Sequence, residues 1–191
     1  MNVSRLGWVT VVTSVGLLVS VLRENQIGEE LARSDVVAAL SSSVFAVGWW
    51  CALLGLVQLR AAGSTRAGRG VLNVGLVLVG VAALQGVFDV LRLHTLPVYF
   101  ITDVAWPLSM LWMLVIGVTV ARTWSLPVPM KFVPLLCGTA FPLWVIVGAI
   151  LGRNTPILST AYVTAAWMVL GVVLIVARRA GSVSVTARAE A

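Results

Sequence analysis

A chain of 191 residues that is 60% hydrophobic and only 10% charged, with a mean hydropathy of +1.03, carries more apolar surface than one water-soluble core of this size can bury. The expected solvent is therefore a lipid bilayer. The formal net charge of +6 does not indicate nucleic acid as a partner, because Lys and Arg flank the apolar runs instead of forming a patch interleaved with aromatics.

The first apolar run, Leu6–Leu22, follows Arg5 in the manner of a signal peptide. No small-x-small cleavage pattern precedes Arg23-Glu24-Asn25, so the run is expected to stay as a helix. A loop, Arg23–Asp35, holds Glu24, Glu29, Glu30 and Asp35; it reads as solvated, with Ser34 or Asp35 capping the next helix. Five further runs are long enough to cross about 30 Å of hydrocarbon, namely Val36–Leu59, Val71–Leu91, Val98–Ala121, Phe132–Leu151 and Ala161–Ala177. The connections Arg60–Gly70, Arg92–Pro97, Arg122–Lys131 and Gly152–Thr160 each carry charge, Gly or Pro, as loops do. Residues 180–191 lack apolar periodicity and read as a short, flexible cytoplasmic tail. The predicted fold is all-α: one polytopic membrane helix bundle over residues 1–179, with about six transmembrane helices.

Charge gives the orientation. With the N-terminus inside, the inner segments hold Arg5, Arg60, Arg66, Arg69, Arg122, Lys131, Arg178, Arg179 and Arg188, and the outer ones Arg23, Arg33, Arg92 and Arg153. Nine against four places both termini in the cytoplasm. The expected location is the cell membrane, as a multi-pass protein of a bacterial inner membrane. Trp8 and Trp124 fall near the inner interface, whereas Trp106, Trp112, Trp144 and Trp167 lie deeper, as helix-packing residues or pocket walls. An inverted repeat of two three-helix halves is opposed by the prolines, all seven of which lie between Pro97 and Pro156.

With that topology the acids are almost all extracytoplasmic, and two of them stand apart. Asp89 and Asp103 fall within apolar runs joined by a short connection, so they should face each other at similar depth, where a carboxylate is expensive unless paired or hydrated. Gln85, Asp89 and Arg92 can line one helical stripe, and an Asp89–Arg92 ion pair is the simplest account of those two residues without a function. Pro107 frees the carbonyl of Asp103, and Pro142 that of Gly138; Ser or Thr hydroxyls and water can satisfy such groups. Ser41, Ser42 and Ser43 offer hydroxyls at comparable depth or simply let helices approach, as does Gly148-x-x-x-Gly152. His94, the one histidine, either titrates beside these acids or is an ordinary loop residue.

Several absences narrow the chemistry. One histidine cannot ligate haem twice or form a His-rich metal site, and Cys51 and Cys137 sit singly in apolar runs as packing residues. The sole lysine, Lys131, borders a loop, which argues against a buried Schiff base. No phosphate-binding Gly-rich run with Lys-Ser/Thr, no nucleophile elbow and no Cys-x-x-Cys pair occurs. Neither cofactor nor metal is expected.

The candidate substrate-binding residues are therefore Asp89, Arg92, Asp103, Trp106, Ser42 and Gln85, with Tyr99 and Tyr162 nearby; Asp89 and Asp103 are also the candidate catalytic residues. Three functions fit them. The first is an outward-facing polar pocket that binds or transports a small molecule or ion. The second is a membrane-embedded enzyme that uses an aspartic acid as proton donor on an isoprenoid-like substrate. The third is an accessory subunit packed against a membrane protein partner. The partners expected are the lipid bilayer, a small-molecule ligand and such a protein partner.

Overall fold

The computed structural model of the chain describes residues 2–28, 31, 35–93, 95–151 and 156–189. Among them the regular structure is entirely helical: α1 (Val3–Thr13), α2 (Val15–Ile27), α3 (Val36–Gln58), α4 (Arg66–Val90), α5 (Pro97–Ala121), a 3₁₀ turn (Met130–Phe132), α6 (Val133–Leu151) and α7 (Pro156–Ala189). Counting α1 and α2 as one path, six helices are long and apolar enough to cross a membrane.

Local chemistry sets where each helix begins and bends. Asn2, Asp35 and Thr65 cap α1, α3 and α4 by accepting from the backbone N–H groups of Ser4, Ala38 and Gly68. The break between α1 and α2 falls at Ser14, whose φ of −59° and ψ of −27° are still helical. There Thr10, Thr13 and Ser14 donate their hydroxyls back to Leu6, Val9 and Val11 carbonyls at 2.9, 2.7 and 2.7 Å, a pattern that bends helices. The apolar run Leu6–Leu22 is thus the middle of a longer, bent path. Thr65 starts α4 a turn before the apolar run does, so Arg66 and Arg69 are helical and not loop. At the other extreme α7 continues to Ala189, so the stretch expected as a tail carries helical backbone; extending a helix costs far less than nucleating one.

Successive helices run in opposite directions and pack side by side in the order α1/α2, α3, α4, α5, α6, α7, with α7 returning to α1. Small residues set the close approaches. A methyl group at Gly7 would strike the backbone of Gly171, and one at Gly117 or Gly138 would strike the backbone of the facing helix across the α5–α6 seam. α3 and α7 are the most buried helices, and they meet across the bundle. Between them lies an aromatic cluster. Phe45 stacks on Trp106 with ring centres 6.1 Å apart and planes 14° apart, and Trp49 meets Trp167 edge to face at 5.2 Å.

The two ends of the bundle differ in charge. One, the basic end, carries Arg5, Arg60, Arg66, Arg69, Arg122 and Lys131; Lys131 is buried, with Nζ 4.3 Å from the centre of the Trp124 ring and 5.2 Å from that of Phe132. The other, the acid end, carries Arg23, Glu24, Asp35, Asp89, Arg92 and Asp103 among the described residues.

Candidate functional site

At the acid end, α4 ends at Val90 and α5 begins at Pro97, so the last turns of one helix lie against the first turns of the next. This hairpin brings Asp89 and Asp103 to one cavity of about 380 Å³. α4 contributes Gln85, Gly86 and Asp89 to its wall, and α5 contributes Asp103, Trp106 and Pro107. Across from them stand Ser42 of α3 and Leu17 of α2. Gly86 lets α3 and α4 approach closely at this wall: a methyl group there would collide with the Ser43 hydroxyl and crowd the Ala39 carbonyl.

Each acid is held by a neutral donor from the facing helix. The Tyr99 hydroxyl donates to Asp89 Oδ1 at 2.9 Å, and Gln85 Nε2 donates to Asp103 Oδ1 at 3.0 Å. Asp103 is exposed and Asp89 half-buried. The amide oxygen of Gln85 is buried and accepts no hydrogen bond among the described residues. Ser42 donates its hydroxyl to the Ala39 carbonyl at 3.0 Å, and so presents lone pairs, not a proton, to the cavity. The polar wall is consequently rich in acceptors, and no Lys or Arg stands among the described residues that form it.

Arg92 does not join this wall. The chain leaves helical geometry at Leu91, and Arg92 takes a φ of +56° while the Leu93 N–H closes on the Phe88 carbonyl at 2.9 Å. Helical three-residue spacing no longer applies past that turn, so the expected Asp89–Arg92 ion pair is not formed; Tyr99 serves Asp89 in its place. Among the described residues at this end, Arg23 pairs with Asp35 at 3.2 Å and ties the end of α2 to the cap of α3. The Arg23 guanidinium, helped by the Ala38 N–H, holds the Asp35 carboxyl below the usual carboxylate range.

The other expected candidates fall as follows. Ser43 donates to Ala39 and fills the space beside Gly86, and Tyr162 lies outside the acid cavity, donating to the Leu136 carbonyl at 2.9 Å. His94, Glu29, Glu30, Ser34 and Gly152 lie outside the described residues. Phe45 and Trp49, which back Trp106, were not separable from ordinary core residues in the sequence. Trp112 is a packing residue, donating Nε1 to the Val71 carbonyl at 2.9 Å. No group of three or more His, Cys, Asp or Glu suited to a metal ion occurs among the described residues.

The fold and site thus define a bundle of six apolar helices with an acidic, aromatic-backed cavity at one end. Comparison with known protein families, curated proteins and solved structures finds no match for this chain.

Proposed function

We propose that the chain is a multi-pass membrane protein whose acid end faces outward, and that the cavity there binds a small cationic solute, an organic ammonium, for uptake or sensing. Membrane placement is supported by apolar side chains exposed around the bundle, among them Val77, Phe100, Ile101 and Ile150, each at least 60% exposed. The orientation rests on the basic end being the cytoplasmic one.

The observation that carries the ligand class is the composition of the cavity wall: two carboxylates and an indole, with no basic group among its described residues. An ammonium satisfies acceptors of this kind, and its charge is favoured over the Trp106 ring. An anion would meet two negative charges. The reading as a proton-donating enzyme has less support, because Asp103 is exposed and both carboxylates are already hydrogen-bonded.

The test is calorimetric binding of butylamine, with butanol as the neutral control, to the protein in lipid nanodiscs. Butylamine should bind and butanol should not, and Asp103→Asn should weaken the amine by roughly tenfold or more, since one charged hydrogen bond contributes about 1.5–3 kcal/mol. Equal affinity of wild type and an Asp89→Asn/Asp103→Asn double variant would overturn the reading.

A further inference from the structure

A second opening lies one helix further round, between α6 and α7. Its walls are Leu143, Trp144 and Val147 on one side and Leu158, Ser159 and Tyr162 on the other, around a volume of about 210 Å³. A smaller space of about 90 Å³ shares Trp144 and Ser159 with it and reaches inward to Met110 of α5. The polar groups here are spent on the protein. Tyr162 donates its hydroxyl to the Leu136 carbonyl and pairs with Thr139, and Ser159 donates to the Pro156 carbonyl at 2.9 Å. What the cleft offers an occupant is hydrocarbon and ring faces.

α5 links this cleft to the acid cavity. Asp103, Trp106, Pro107 and Met110 follow at the spacing i, i+3, i+4, i+7, which is one face of a helix. The first three line the acid cavity, and the fourth, about 10 Å along the axis from Asp103 at 1.5 Å per residue, lines the smaller space that adjoins the cleft. One helix face therefore presents a carboxylate, then an indole, then an apolar opening that leads sideways between α6 and α7.

Resting on the ammonium reading above, we infer that the ligand is an amphiphile: a primary amine carrying a hydrocarbon chain, its head at Asp89 and Asp103 and its tail in the α6–α7 cleft. The charge of the cavity selects the head. Bare hydrocarbon walls select the chain, and a cleft between two helices gives it a way in from the bilayer.

Octylamine bearing a terminal diazirine, photolysed with the protein in nanodiscs and mapped by mass spectrometry, tests this. Label should appear on residues 140–147 and 158–162 and be lost in the Asp89→Asn/Asp103→Asn variant, in the presence of excess octylamine, and when the matching alcohol replaces the amine. Leu143→Trp, an exposed position where bulk narrows the cleft without touching the core, should lose the cleft label while keeping butylamine affinity. Cleft labelling that is equal for amine and alcohol, or unchanged in the aspartate variant, overturns the inference, since the chain then enters from the bilayer without its head. Butylamine binding with the octylamine label elsewhere removes the amphiphile and leaves the ammonium site standing; no binding of either amine removes both.

Discussion

Asp89 and Asp103 share a cavity but are held differently, one by a phenol and one by a carboxamide. Tyr99→Phe removes the donor that orients Asp89 and leaves the ring in place; a neutral hydrogen bond is worth about 1 kcal/mol, so amine affinity should fall roughly fivefold with little change in melting temperature. A pH effect belongs to a different carboxylate. Because Arg23 lowers the pKa of Asp35, the charged form is favoured in the fold; its stabilisation is present above the ordinary carboxylate pKa and is lost as pH falls through the lowered one. Thermal unfolding should show a wild-type loss at acid pH that Asp35→Asn reduces, and its absence would show the clasp to be inert. The sequence made the acid pair legible because a carboxylate inside an apolar run has few cheap environments. It misplaced Arg92, since whether a residue is the last of a helix or the first beyond it is decided by a backbone turn that charge spacing does not encode.

At the level of helices, the apolar runs located all six long apolar helices and under-read the first, third and last of them, because hydrophobicity marks contact with hydrocarbon whereas a helix begins at its cap. Thr65 and Pro156 both start helices ahead of the apolar runs that follow. The seams between helices were less legible, as a glycine at a close approach looks like any other glycine. Gly138 and Gly70 separate the two cases. A methyl at Gly138 would lie 2.4 Å from the Leu114 Cα, with only backbone to push against, whereas one at Gly70 meets nothing within 4 Å. Gly138→Ala should destabilise by about 1–3 kcal/mol in a detergent melt. Gly70→Ala, in an open helical position, should be neutral or stabilising by up to about 1 kcal/mol.

For the whole molecule, the decisive question is which end faces outward. Thr95 and Ser64 are exposed at opposite ends, and the native thiols Cys51 and Cys137 are buried and should not compete for reagent. With an impermeant maleimide on intact cells, Thr95→Cys should label and Ser64→Cys should label only after lysis; the reverse pattern would turn the cavity to the cytoplasm. The acid cavity was legible as a hairpin of acids, but its aromatic backing was not, because Phe45 and Trp49 come from a helix about sixty residues before Trp106 and only the packing of the bundle brings them to it.

That cluster also gives the protein an optical signature. Indoles whose centres lie 5.2 Å apart in a T-shaped arrangement are close enough for their excited states to couple, and Trp106 extends the coupled set to the cavity wall. A near-ultraviolet dichroism band that shifts when the cavity fills would report occupancy from the unlabelled protein.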